Sequence, residues 1–367
     1  MDTFKVEFEA TQLSDDANHE MIVTVDPNVP SRYESVTFDG LGSGPSLTLL
    51  MLAGNDRIQD LMMCLSRGNY AAENLWPQAR RLYEYYLEGD WVRFSKIAEE
   101  SFGDEWTRGE TTHERAAVAH HAVGTALANM IDDHHEASSI FMGRFLRKHM
   151  AAIQNDRYRA FAVAESESGR ISALQRSLLD VTDHFVQRFE CWTMGVLGRV
   201  IPDENREALA DLRLFRDEFD TLRDLYQQGF EIACKFLRYL VAVQNVIKRG
   251  DPELFGVDVP AGLTRKNNPT GIASFEKMAN ADKLHYVSAV PGWEGWVSLL
   301  SNKTRNDIGH ATARHDLRRG LIVSSENPAG IPYLDMVAKV YGVFDVLATC
   351  FQIVRQIRVV SSPDFID

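Results

Sequence analysis

The chain has 367 residues, of which 45% are apolar and 25% charged, and a net charge of −13 at pH 7. This composition excludes general disorder, a collagen-like repeat and a disulfide-stapled mini-protein, and the length predicts two or three folded units. The acidic balance argues against broad nonspecific coating of nucleic acid. Residues 261–320 run the other way, with nine Lys or Arg against five Asp or Glu, a local excess compatible with one confined anion site.

The opening MDTFKVEFEA carries an acid at Asp2 and alternates in polarity, so it does not read as a signal peptide. Val6, Phe8 and Ala10 alternate with Lys5, Glu7 and Glu9, the period-2 mark of a half-buried strand. Strands are also expected at 21–25 and 36–38, separated by a turn at 26–31. From Ser46 the period becomes helical, with helices expected at 46–65, 77–88, 91–102, 114–131, 138–153 and 171–200. Pro77 suits the first turn of its helix, where a missing N–H costs nothing. The longest apolar runs, such as 47–53, fall far short of the roughly 18 residues that a membrane span needs.

The clearest periodicity links Phe215, Phe219, Leu222, Tyr226, Gly229, Ala233, Phe236, Leu240, Val243 and Ile247 at steps of three and four. It predicts one long helix over 203–249, with Gly229 as a point for a kink. A loop rich in Pro, Gly and Asn follows at 250–271, then helices at 274–281 and 293–310. Residues 320–323 and 330–333 flank 324–329 as a small hairpin. A final helix over 334–359 has Val337, Tyr341, Phe344, Ala348 and Phe351 in its seam. The two seams offer more apolar surface than a short bundle needs, which points to a homodimer.

Cys64, Cys191, Cys234 and Cys350 form no CxxC pair, so reduced thiols in a cytosol are the simpler reading than a zinc knuckle or redox dithiol. The turn at 39–46 places Gly40, Gly42 and Gly44 between a strand and a helix, but Pro45-Ser46 stands where a P-loop needs Gly-Lys-Ser/Thr. His120-His121 and the run Asp132-Asp133-His134-His135-Glu136 bring metal ligands together; Asp132 and His135 are three apart and could share a helical face. The run lacks the ExxH pairs of a carboxylate-bridged bundle and reads equally as a polar turn.

The remaining candidate is Arg305-Asn306-Asp307-Ile308-Gly309-His310. Three other Arg–His pairs share its spacing (Arg108–His113, Arg115–His120 and Arg144–His149), but in each the residue after Arg is Gly or apolar. Only Arg305 is followed by an amide that both donates and accepts hydrogen bonds. On a helix Asn306 and His310 are i and i+4, on one face. Arg305 stands about 140° from His310, within reach of its long stem. A guanidinium that grips phosphate in a fork, beside an imidazole that exchanges protons near neutral pH, is a minimal set for metal-free RNA cleavage. The 2′-hydroxyl of RNA supplies the nucleophile.

Arg305-Asn306 with His310 resembles the Arg-polar-x(3–5)-His motif of the HEPN superfamily, all-helical domains that include many metal-independent endoribonucleases. The setting is similar too: a long helix upstream, an apolar helix before the motif, then a hairpin and a final helix, over about 203–360. The resemblance implies that His310 is the acid/base, Arg305 the phosphate clamp and Asn306 the orienting polar group. Asp307 falls where the pattern is open, either tuning His310 or facing water. Arg314, Arg318 and Arg319, just downstream, are placed to grip RNA backbone or simply to face solvent.

The reading is therefore a mainly α protein in three parts: a small β-rich element (1–45), a helical region of unassigned role (46–202) and a HEPN-like four-helix bundle with a small hairpin (203–367). The resemblance implies an RNA-cleaving enzyme without metal or other cofactor, homodimeric and cytoplasmic, with no membrane association. It would act as a toxin or antiviral-defence effector with a regulatory partner protein. A noncatalytic RNA-binding or dimerisation scaffold is the alternative. A metal- or nucleotide-binding regulator using His120–His135 or the glycine turn is the third class.

Overall fold

The helical periods fold as helices, and the protein is mainly α. A computed structural model describes residues 31–32, 53–102, 111–131, 136–202, 205, 212–214, 218–256, 268–309, 312–325 and 327–362. The strands expected at 4–10, 21–25 and 36–38 and the glycine turn at 39–46 lie outside these residues. Ser31–Arg32, at the end of the expected turn, form β1, which pairs antiparallel with β2 (Leu212–Arg213).

Helix α1 (Asn55–Tyr70) passes through one π turn (Ala71–Leu75) into α2 (Trp76–Glu88). Pro77 sits in the first turn of α2, and Gly89, at φ +72°, terminates it in the left-handed conformation that glycine tolerates. Next come α3 (Trp91–Phe102) and α4 (Thr112–Ala128), the latter opened by a capping box. In that box Glu114 N–H donates to Thr111 Oγ1 and Thr111 N–H to Glu114 Oε2. Helices α5 (Glu136–Ala152), α6 (Asp156–Glu167) and α7 (Arg170–Gln187) complete the middle region. The sequence reading has no helix at α6. Its signal is the Asn155 side chain, which accepts from the N–H groups of Arg157 and Tyr158.

The helix expected over 171–200 stops at Gln187 and continues as three short turns, Phe189–Trp192, Thr193–Val196 and Leu197–Val200. The Trp192 indole folds back to donate to the Phe185 carbonyl at 2.8 Å and is fully buried. The long helix is α8 (Phe219–Arg249), shorter at its start than 203–249 because Leu212–Arg213 is strand. The helix runs unbroken through Gly229. A Cβ there would collide with Val343 and Phe185, so glycine is what lets the neighbouring helices approach.

The expected helix at 274–281 is two, α9 (Ile272–Glu276) and α10 (Asn280–Ser288). That at 293–310 is also two, α11 (Glu294–Ser298) and α12 (Asn302–Gly309). The hairpin gains a strand: β3 (Arg314–Asp316), β4 (Leu321–Val323) and β5 (Ile331–Pro332) form an antiparallel sheet in that order. Helix α13 (Tyr333–Ser361) ends the described chain.

Helices α8 and α13 pack on each other, with α4, α6 and α7 around α13 and α5, α7, α10 and α12 around α8. One hydrophobic core runs from Ala53 to Val360, so the middle and C-terminal regions share it. Phe141 of α5 stacks on Trp296 of α11 at 4.3 Å, and Trp296 donates to Thr349 of α13. The α8 seam from Phe219 to Val243 and Val337, Tyr341, Phe344 and Phe351 are all buried inside the chain's own fold; Phe215 lies outside the described residues. Most of the two seams is thus filled from within, while Ile247, at the end of the α8 seam, is 42% exposed and Ala348 is half-buried. Among the described residues, α13 alone is long and apolar enough to cross a membrane, and 78% of its most apolar stretch is buried in the fold.

Candidate functional site

Helix α12 owes its start to a serine and a distant tyrosine. Ser301 Oγ accepts from Thr304 N–H at 3.2 Å, capping the first turn, and Ser301 O accepts from Arg305 N–H. The Tyr226 hydroxyl of α8 donates to Ser301 O and accepts from Ser301 N–H, both at 3.0 Å. This grip accounts for the break between α11 and α12. Thr304 and Ile308, one turn apart, point into the core, and Lys339 of α13 donates to Thr304 Oγ1 at 2.8 Å. With those two inward, helical geometry turns Arg305, Asn306 and Gly309 out to solvent.

Arg305 and Asn306 touch, Nη1 donating to Oδ1 at 3.4 Å. The other guanidinium nitrogen reaches across to α8, where Nη2 meets Glu231 Oε1 at 3.1 Å with both side chains 45% exposed. Glu231 is shared: its Oε2 accepts from Asn280 of α10 at 3.0 Å, and Lys283 donates to Asn280 Oδ1. Beneath them burial, and then the Glu231 charge, push the Cys234 thiol up to about 12, so this cysteine is not a nucleophile at neutral pH. Asp307 is half-buried, and its charge favours the protonated form of Lys339, whose pKa burial lowers. A Cβ at Gly309 would stand 3.2 Å from Gln227 Nε2. His310 lies outside the described residues. The structure thus brings Arg305 and Asn306 together and adds Glu231, Asn280 and Lys283, which lie too far away in sequence for spacing to reveal.

Arg314 opens β3, while Arg318 and Arg319 occupy the turn to β4, and all three are exposed. That turn is closed by Arg319 N–H and Gly320 N–H bonding to Asp316, with Gly320 at φ +63°. These arginines sit on the sheet rather than on α12. His315 between them stacks on Tyr333 at 3.9 Å.

Two histidines of the other candidate pairs, His120 and His149, are buried in the core. His120 is fully buried, 3.3 Å from the Tyr83 hydroxyl and against Gln175, and burial lowers its pKa to about 3. His149 is buried with Nδ1 at 3.0 Å from the Tyr158 hydroxyl, and burial lowers its pKa to about 4. The residues at 132–135 and Arg108 lie outside the described residues. Among the described residues no three of His, Cys, Asp or Glu converge as a metal site, and all four cysteines are buried thiols. No protein-family model, curated protein or solved structure matches this chain.

Proposed function

We propose that the chain is a metal-independent endoribonuclease of the HEPN type, cutting RNA by attack of the 2′-hydroxyl on the adjacent phosphate. The observation that carries this reading is the outward face of α12. Arg305 and Asn306 stand there in contact and exposed, one turn before Gly309, which His310 follows in the chain. In this reading Arg305 clamps the phosphate, Asn306 orients it and His310 takes the 2′-hydroxyl proton. The 2′-oxygen bonds to phosphorus, the bond to the 5′-oxygen breaks, and an imidazolium supplies the proton that the leaving oxygen needs. The products are a 2′,3′-cyclic phosphate and a 5′-hydroxyl.

For this, Glu231 must release Arg305. The pair is half-exposed, so its loss costs about 0.2–1 kcal/mol, less than a phosphate returns. Arg314, Arg318 and Arg319 would hold RNA backbone. The same reading makes the protein a cytoplasmic homodimer that pairs two motifs in one cleft, a toxin or antiviral-defence effector held by a partner protein. The Arg305–Glu231 contact also favours a second reading, a noncatalytic RNA-binding or dimerisation scaffold, because it occupies the clamp. Incubation with total RNA in EDTA separates the two: the enzyme cleaves and its His310→Ala variant does not, whereas the scaffold leaves RNA intact.

A further inference from the structure

The far end of α8 carries a second concentration of positive charge. Arg144, Arg147 and Lys148 follow at i, i+3 and i+4 on α5, and Lys248 faces them from the last turn of α8. They line a cleft of about 550 Å³ whose other walls are Gln244, Ile247 and Pro291. Among the described residues, none of these four cations has a carboxylate within 4.0 Å, although Arg80, Arg93, Arg157, Arg159, Arg170 and Arg223 all do.

The cluster is built. Lys148 Nζ donates to Gln244 Oε1 at 2.5 Å and lies over the buried Trp293 ring at 5.3 Å. Burial first, and then the like charges of Lys248 and Arg144, lower its pKa. Arg144 lies against Gly292, at φ +84°, where any Cβ would collide with the guanidinium. Glu294 also feels Arg144, but its carboxylate accepts the Gly292 N–H at 2.5 Å. Like charges at i, i+4 destabilise a helix, and a half-buried lysine pays desolvation as well. In this acidic protein no carboxylate among the described residues pairs with the cluster.

We infer that the α5/α8 cleft binds a compact small molecule bearing adjacent phosphates, as in a nucleoside polyphosphate or free polyphosphate. The volume lies within the range of about 300–1,000 Å³ typical of small-molecule sites. All four cations line this one cleft, and Lys148 feels the charges of both Lys248 and Arg144, a compact grouping that suits a condensed anion better than an RNA strand. Ile247 and Pro291 supply an apolar edge, and the site is independent of the ribonuclease reading.

The test is calorimetric titration with tripolyphosphate, and with a nucleoside triphosphate as a second arm, at about 0.15 M salt, where long-range attraction is screened. Single-site binding is expected, weakened about tenfold for each charge removed in Arg144→Gln and Lys248→Gln. Both variants should melt at or above the wild-type temperature without ligand, since they relieve repulsion. The remote double variant Arg93→Gln/Lys96→Gln, with the same charge change as both together, should bind as wild type does. Tighter binding of the nucleotide than of tripolyphosphate identifies the nucleotide as the source, and the reverse identifies free polyphosphate. No heat with either probe at millimolar concentration, equal weakening by the remote variant, or binding of single-stranded RNA alone overturns the proposal.

Discussion

Glu231 and Arg238, seven residues apart on α8, each make a guanidinium–carboxylate contact to another helix, and the two contacts differ in almost everything but chemistry. At position 238 the arginine comes from α8 itself; both it and Glu165 of α6 are nearly inaccessible, at 7% and 9% side-chain exposure, and they meet at 2.7 Å. Arg238 also contacts Glu276 of α9, Arg170 joins Glu276, and Tyr239 donates to Glu165. At position 231 the carboxylate comes from α8, and both it and Arg305 are half in water. A buried pair that loses one member leaves a charge stranded in low dielectric, whereas an exposed one returns its charge to solvent. The first therefore holds α6, α8 and α9 together, and in the proposed function the second is a latch that an incoming phosphate would open.

The largest expected effect that sharpens this contrast is on stability. Arg238→Ala should cost up to about 3–5 kcal/mol because the buried Glu165 keeps only the half-exposed Arg170, 3.6 Å away, as a cation, read as a lowered denaturation midpoint in urea. Arg305→Ala should change stability by no more than about 1 kcal/mol. Equal losses in the two variants would erase the distinction.

A second effect comes from the buried histidines. His120 and His149 stay neutral in the fold, with pKa values of about 3 and about 4 against an ordinary 6.5. Below 6.5 the unfolded chain takes up protons that the folded chain refuses. Their contribution is therefore complete above pH 6.5 and falls by up to about 1.4 kcal/mol per pH unit for each histidine as acid is added. Denaturation at pH 7 and pH 5 should show that loss, and His120→Gln should flatten it. A wild-type stability that is level across this interval would place both histidines in contact with water.

The smallest effect concerns the latch. Glu231→Gln removes the competing charge and keeps an acceptor for Asn280, so RNA turnover should rise about 1.5- to 5-fold, the equivalent of an exposed ion pair. A fall in turnover would mean that Glu231 holds Arg305 in its working position.

The local chemistry of the sequence made much of this legible. Pro77 and Gly89 bracket α2 to within a residue, and the three–four spacing of Phe219 to Val243 marks α8 and its buried face. The exposure of Arg305 and Asn306 follows from the same period, with Thr304 and Ile308 turned inward. What the sequence did not disclose depends on distant partners. The break before α12 is made by the Tyr226 hydroxyl, and that after α7 is accompanied by the Trp192 indole folding back on Phe185. The latch on Arg305 is a residue of α8, and Lys248 reaches the Arg144 cluster from a hundred or more positions away in sequence. Arg144 drew attention only as one end of an Arg–His spacing, whereas its structural neighbours are Lys148, Lys248 and Gly292.

The central claim is tested most directly by the ends of the RNA products. Wild-type protein in EDTA should leave 2′,3′-cyclic phosphate or 3′-phosphate ends on RNA and spare DNA. His310→Ala should lower the rate about 10²–10⁴-fold and Arg305→Ala about 10²–10³-fold, with folding and melting unchanged. Arg305→Lys should restore only part of the rate, since a point charge lacks the planar fork. Cleavage that disappears in EDTA and returns with magnesium or manganese, or that survives His310→Ala in proportion to folded protein, would contradict the account.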